Sequence, residues 1–386
     1  MKPVVEPFPF VSVSGRPIER GRAYGTIARE RVHRSAALYG GQLDELGLSG
    51  RARTRLISDF ADKVEGFEPS YLQEMQGIAE GAGVSLEQVV MINARTEVVA
   101  MARVLAGRSD ESDEEEDTTA DGCTGAIILP ERTADGRLLH GQNWDWRPEC
   151  VDNAVVLRIY RDDGPDVLTF VEAGGLGRHG MNSAGICISG NYLRCDRDYE
   201  QPDGVPLALV RRKAMDQEHV ALAMRAIATT PKACATNMIV SHKEGWAIDF
   251  ECAPDEAFPL LPEDGLIVHA NHWVSQAALV KLKDTGTATA PDSLYRDWRV
   301  RRLLDERGSA ITMADLKAAL FDDFLTPYSV CRPPRPGLRG DITASVAMIL
   351  MEPAAGVMEV APLPALNRNF TRYSLTDQPR MLEAAE

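Results

Sequence analysis

The chain has 386 residues, 44% of them hydrophobic, with 57 acidic against 42 basic side chains and a formal net charge of -15 at pH 7. That is enough apolar material for one large domain or two modest ones, and the acidic balance argues against nucleic acid as a partner. No apolar run approaches the roughly 18 residues that cross a bilayer, and the prolines of the opening MKPVVEPFPF fall where a signal peptide needs a continuous apolar stretch; a soluble, cytoplasmic protein with no membrane partner is expected.

The pattern is helical from about Arg20 to Leu105. Tyr24, Ile27, Ala28, Val32, Ala36 and Tyr39 recur at the spacing of one helix face. Ser85 and Gln88 form a capping box ahead of the apolar run from Val89 to Leu105. An acidic stretch without periodicity follows. Ser109 to Asp117 reads SDESDEEED, seven acidic residues in nine, and a segment of about 106–120 is expected to be solvated and disordered.

At Cys123 the grammar changes to short strands. CTGAIILP reads as a strand, Asp135-Gly136 as its turn, and LLHGQNWDW as a second strand. Further strands are expected at Ala154–Tyr160, Val167–Glu172, Gly185–Ser189, Thr236–Ser241, Gly245–Glu251, Leu266–Ala270, Thr343–Met351 and Gly356–Ala361, with helices at Leu207–Ile227, Leu294–Leu304 and, behind the capping pair Thr312 and Asp315, Ala314–Phe321. Hairpin-linked strands with helices in separate runs indicate an α+β protein with mainly antiparallel sheets.

The seven cysteines are odd in number, dispersed and free of CxxC pairs, which argues against a disulfide framework or a zinc ribbon. Cys123 differs from the rest in context, because it opens a strand directly after Gly122 and a flexible acidic loop. Its thiolate can attack the Gly122 carbonyl, and Gly122 carries no side chain to obstruct that geometry. The product would begin with Cys123, whose α-amine, with a reference pKa of roughly 7.7–8.0, can serve as base for its own thiol.

Asp121-Gly122-Cys123-Thr124 followed by Gly141-Gln142-Asn143-Trp144-Asp145 closely resembles the acyl-coenzyme A:6-aminopenicillanic acid acyltransferase family, also called peptidase family C45, of the N-terminal-nucleophile hydrolases. Fainter likeness continues through Gly180–Gly185, His269–His272 and Ser329–Arg332. The resemblance implies a four-layer αββα fold and cleavage between Gly122 and Cys123. The products would be a helical α chain, 1–122, and a catalytic β chain, 123–386, that stay together as a heterodimer.

It implies Cys123 as nucleophile, Asp145 as partner of the Cys123 ammonium, and Asn271 as donor to an oxyanion. Arg332 would hold a substrate carboxylate or anchor Asp145. Thr124, Trp144, His179 and Asn182, in or beside the motifs, are expected to meet substrate. The expected activity is hydrolysis or acyl transfer on a small N-acyl amide. The alternatives are an acyl-coenzyme A-dependent N-acyltransferase and a non-catalytic, uncleaved scaffold. An N-terminal-cysteine amidase of the bile-salt or penicillin V type is a further relative, but the 122 residues before the cysteine favour the acyltransferase-like branch.

Two other stretches are set aside. Gly175-Leu-Gly-Arg-His-Gly180 has the spacing of a dinucleotide loop, which needs a helix next; Met181–Gly185 is turn-like and leads to another strand. His269 and His272, with Asp249 and Glu251 nearby, lack a recognised zinc spacing. No metal and no cofactor is expected.

Overall fold

The computed structural model describes residues 5–106, 122–336 and 342–382; the acidic stretch expected to be disordered lies outside them beyond Ala106. The chain opens with strand β1 (Phe10–Ser14) and six helices, α1 (Pro17–Ile27), α2 (Arg29–Glu45), α3 (Gly50–Phe67), α4 (Pro69–Ala82), α5 (Leu86–Asn93) and α6 (Arg95–Leu105). Six strands follow: β2 (Gly122–Ile128), β3 (Leu139–Trp146), β4 (Ala154–Tyr160), β5 (Val167–Glu172), β6 (His179–Asn182) and β7 (Ile186–Tyr192). Next come α7 (Leu207–Met215) and α8 (Val220–Thr229), then β8 (Thr236–His242), β9 (Trp246–Cys252), β10 (Ala257–Leu260) and β11 (Leu266–His269). Helices α9 (Gln276–Lys281), α10 (Ser293–Asp305) and α11 (Met313–Leu320) lead to β12 (Arg335–Pro336), β13 (Ile342–Glu352), β14 (Val357–Pro362), β15 (Thr371–Ser374) and β16 (Arg380–Met381).

The strands form two sheets, ordered β1-β4-β5-β6-β7-β8-β9-β10 and β11-β2-β3-β13-β14-β15-β16, with β12 on β13. Apart from the parallel pair β1–β4, the named pairs are antiparallel. Their inner faces share one apolar core, in which Cys123 and Trp144 of the second sheet pack with Phe170, Met181 and Cys187 of the first. The outer face of the first sheet buries Val155, Leu157 and Ile159 against helices carrying Val32, Tyr39 and Leu209. The outer face of the second buries Ala126, Ile128 and Met348 under Val300, Leu304 and Leu320. The result is a four-layer α-β-β-α stack, the α+β class expected, because strands that alternate in and out must cover both faces.

Both capping boxes are present, Ser85 with Gln88 and Thr312 with Asp315, and Gly136 turns the first hairpin with φ of 68°. The helical face expected from Tyr24 to Tyr39 belongs to two helices, which break at Ala28. Ile27 is 59% exposed and does not join it. Leu207–Ile227 is likewise two helices, α7 and α8. Strand β1 is an addition to the expected set; Val11 and Val13 point inward, and its partner β4 lies well over a hundred residues away, beyond the reach of local pattern. Helices α1 and α4 approach so closely that a Cβ on Gly21, Gly25, Gly77 or Gly81 would sit 2.1 to 2.2 Å from a carbonyl oxygen of the other helix. No helix among the described residues is long and apolar enough to cross a membrane.

Candidate active site

Strand β2 begins at Gly122 and pairs with β3 so that Gly122 lies opposite Asp145 and Cys123 opposite Trp144. Alternation along β2 sends the Cys123 side chain between the sheets, where it is 1% exposed, and sends Thr124 out towards α10. The backbone of Cys123 is held at both ends. Its N–H donates to Asn271 Oδ1 at 2.7 Å, and its carbonyl accepts from Arg296 Nη1 at 2.7 Å.

Arg296 organises this end of the strand. It is fully buried, and besides the Cys123 carbonyl it donates to Thr124 Oγ1 at 2.9 Å and, through Nη2, to Asn271 Oδ1 at 2.8 Å. Its Nε donates to Asp292 Oδ2 at 2.7 Å. The two lie four residues apart, Asp292 at the N-cap of α10 and Arg296 in its first turn, the spacing that puts side chains on one helix face. The same Asp292 oxygen accepts from Arg332 Nη2, and Arg332 Nε stands 3.2 Å from Asp145 Oδ2. The other Asp145 oxygen accepts from the Ser345 hydroxyl at 2.5 Å, and Ser345 Oγ also receives the Arg332 N–H at 2.9 Å.

An alternating chain of buried charges, Asp145, Arg332, Asp292 and Arg296, thus wraps the residue before the cysteine. A Cβ on Gly122 would lie 2.9 Å from Arg332 Cζ and 3.0 Å from Asp145 Oδ2. A side chain there would have to displace the Arg332–Asp145 pair. Burial raises the Asp145 carboxyl to about 6, against the opposing pull of Arg332, Arg296 and the Ser345 hydroxyl. Burial would also raise Asp292, but Arg332 and Arg296 hold its carboxyl below the ordinary range. Burial pushes up the thiols of Cys150, Cys187, Cys195, Cys234, Cys252 and Cys331, so these cysteines fit the role of small apolar groups.

Asn271 follows β11 on a loop that is itself pinned. Its N–H donates to Ser293 Oγ at 2.6 Å and its Nδ2 to the Tyr192 carbonyl at 2.9 Å. His269 Nε2 lies 2.8 Å from Glu251 Oε1 and Nδ1 lies 3.0 Å from the Ala270 carbonyl, so both ring nitrogens donate. Burial alone would lower this imidazole, yet Asp249 and Glu251 raise it to about 9. Glu251 also accepts the N–H groups of Val274 and Ser275, at 2.6 and 3.0 Å. The histidine-carboxylate group considered as a metal set serves instead to fix the loop, and no group of three or more metal-ligating side chains occurs among the described residues.

The structure therefore brings Cys123, Asp145, Asn271, Arg332 and Thr124 together. Arg332 is 3% exposed and anchors Asp145. In this state Asn271 faces the cysteine with its oxygen rather than its amide nitrogen. Trp144 is buried between the sheets with the Arg178 guanidinium 4.1 Å above its ring, and His179 is buried on β6. Asn182 lies elsewhere: its Nδ2 donates to the carbonyls of Met215 and Gln217, each at 2.8 Å, and its Oδ1 accepts the Ile186 N–H, closing the β6–β7 turn. The stretch with dinucleotide-loop spacing runs into strand β6, not a helix.

Asp292, Arg296 and Ser345 were not anticipated. The only trace of the first two in the sequence is an i,i+4 acid–base pair, a common helical feature.

Beside Asn271 opens a cleft of about 860 Å3, counting the part open to solvent, walled by α2, α6, the ends of β3 and β7 and the 286–290 loop.

The family model described as "Acyl-coenzyme A:6-aminopenicillanic acid acyl-transferase" matches residues 132–361. The acyl-coenzyme A:6-aminopenicillanic-acid-acyltransferase 40 kDa form of Emericella nidulans is 27% identical over 329 residues, covering 83% of this chain and 84% of that protein. An uncharacterized protein of Archaeoglobus fulgidus is 23% identical over 335 residues, covering 77% of this chain and 55% of its own length. Among solved structures, a conjugated bile acid hydrolase from Clostridium perfringens is similar at 12% identity and a TM-score of 0.49, covering 68% of this chain and 96% of that one. Penicillin V acylase from Agrobacterium tumefaciens is similar at 12% identity and a TM-score of 0.40, covering 66% and 86%.

Proposed function

Because the chain belongs to the acyl-coenzyme A:6-aminopenicillanic acid acyl-transferase family, we propose that it is a self-processing thiol enzyme that hydrolyses or transfers the acyl group of small N-acyl amides through Cys123. The observation that carries this reading is the grip on the backbone on both sides of Cys123. The Cys123 N–H rests on Asn271 Oδ1, its carbonyl on Arg296, and the Arg332–Asp145 pair lies where a side chain on Gly122 would be.

Processing begins with attack of the Cys123 sulfur on the Gly122 carbonyl carbon. The Arg332 guanidinium beside Gly122 offers charge to the developing oxyanion. The C–N bond breaks, the departing α-nitrogen takes up the thiol proton, and a thioester joins Gly122 to Cys123. Water then opens the thioester, leaving a Gly122 carboxylate and a free thiol. An α chain of 122 residues and a β chain of 264 result, packed as a heterodimer.

The new α-amine remains on Asn271 Oδ1, next to the Asp145 carboxylate, and acts as base for its own thiol. The thiolate attacks a substrate acyl carbon, the amine half leaves with a proton, and the acyl group stays on sulfur. Water resolves it as hydrolysis and an amine resolves it as transfer.

The test is a quenched incubation with a chromogenic N-acyl anilide, followed by intact mass measurement. A mass increase equal to the acyl group on the 264-residue fragment, lost in Cys123→Ala, supports the reading. Anilide turnover that persists in Cys123→Ala sinks it.

A further inference from the structure

The cleft beside Asn271 is lined by two hydrogen-bond donors that have no acceptor. Gln42 and Trp146 both face it, and their side chains are buried, at 5% and 7% exposure. Neither Gln42 Nε2 nor Trp146 Nε1 meets an acceptor among the described residues. The tyrosine hydroxyls around them are engaged, Tyr39 with Glu172 and Tyr192 with Tyr199. A buried N–H without an acceptor has lost water and gained nothing in return, so two of them on one cleft point to an occupant.

The donors come from the segments before and after Cys123. Gln42 follows Tyr39 by three residues on α2, which puts both side chains on the helix face over the cleft. Trp146 ends β3 and shares its inner face with Trp144, which lies opposite Cys123. The described pairing of β2 with β3 reaches Gly122, opposite Asp145, so Trp146 stands one step past that ladder. The Arg95 guanidinium, held on Glu172 at 2.8 Å, lies 4.5 Å from the Trp146 ring centroid and fixes the plane of the indole. An acyl group on the Cys123 sulfur that takes the place of Gly122 therefore extends towards Trp146 and Gln42.

We propose that Gln42 and Trp146 recognise a second, uncharged oxygen in the acyl half of the substrate, a ketone or amide carbonyl a few atoms beyond the scissile carbon. A carbonyl oxygen offers two lone pairs, one for each N–H. Indole and carboxamide N–H groups carry no charge, and they offset the desolvation of a neutral oxygen far better than that of a carboxylate. The proposal rests on the reading of Cys123 as nucleophile and adds the acyl class, with one specificity residue from each segment.

The experiment uses the whole protein and a series of oxoalkanoyl anilides, the ketone moved one carbon at a time from position 4 outwards, each beside the alkanoyl anilide of the same length. For at least one ketone position kcat/KM is expected to be roughly 10- to 100-fold higher than for the plain chain, mostly through KM. Gln42→Met and Trp146→Phe, which delete an N–H and keep the bulk, should each cut that ratio several-fold.

Equal kcat/KM at every ketone position overturns the proposal, as does a preference that survives both substitutions. A second readout needs no turnover. The preferred oxoalkanoic acid, as product, should raise the thermal midpoint of the parent more than the plain alkanoic acid does, and Gln42→Met should close that gap; equal shifts in the parent count against the proposal. Cys123-dependent turnover at one rate for both members of each pair would sink this proposal and spare the catalytic reading. A ketone-dependent shift without any Cys123-dependent turnover would do the reverse.

Discussion

Two buried carboxylates in this molecule do the same thing in different places. Glu74, on α4, holds Arg20 at 2.7 Å and Arg212 at 3.2 Å; Asp292, at the head of α10, holds Arg296 and Arg332. In each case one acid bridges two arginines away from water. What differs is where the arginines lead. Arg212 goes on to Asp216 and to the Leu176 carbonyl, so the first network docks helix on helix and helix on sheet. Arg296 and Arg332 go on to the Cys123 carbonyl, Thr124, Asn271 and Asp145, so the second network positions the start of β2 around Cys123. Buried ion pairs add little net stability over apolar packing, but breaking one is costly. The comparison teaches that such a motif is read by its outer contacts and not by its chemistry.

The largest expected effect comes from removing the scaffold acid. Glu74→Gln leaves two buried guanidinium groups on a neutral amide and should cost about 3–5 kcal/mol of stability, measured as a lower denaturant midpoint. Folded Glu74→Gln should still be cut after Gly122.

Asp292→Asn breaks the comparison from the other side. It should slow processing roughly 100-fold, about 2.7 kcal/mol on the barrier, when cleavage is timed by mass well below the variant's unfolding midpoint. If the two variants lose stability alike and process alike, the networks have no division of labour.

The remaining effect is in pH. Asp145 titrates near 6 in the folded chain against roughly 3.9 when unfolded. Between about pH 4 and 6 the folded chain keeps a proton that the unfolded chain has released. The stability contributed by this group is therefore full below about pH 4 and lost as pH rises through about 6, on the order of 2–3 kcal/mol. Asp145→Asn should flatten that slope in denaturation midpoints taken from pH 4 to 7. An unchanged slope would show that Asp145 titrates elsewhere. Processing should run the other way and fail below about pH 6, where the carboxyl is neutral.

These networks also mark what could be read in the sequence. Cys123, Gly122 and Asp145 were legible because the Asp-Gly-Cys-Thr motif and the hairpin that follows it are contiguous in the chain, and strand register then brings Gly122 opposite Asp145. Asn271 and Arg332 came from motif likeness, and the structure places both at the cysteine. Asp292 and Arg296 reach it from more than 160 residues downstream, and nothing in an i,i+4 pair says which strand its helix will cover. Asn182, expected near substrate, closes a turn instead, because an asparagine before a glycine turn satisfies local backbone groups first. The same limit explains the helix face assigned across Ala28. Successive helices that bury the same side continue one periodicity through a break, and only the exposure of Ile27 reveals it.

The central claim is that Cys123 cuts the chain before itself. Intact mass and N-terminal sequencing of the purified protein, beside Cys123→Ala, test it most directly. The account predicts two fragments from the parent, one beginning Cys-Thr-Gly-Ala, and a single whole chain from the variant. A parent that stays whole, or a variant that is cut at the same bond, would contradict it.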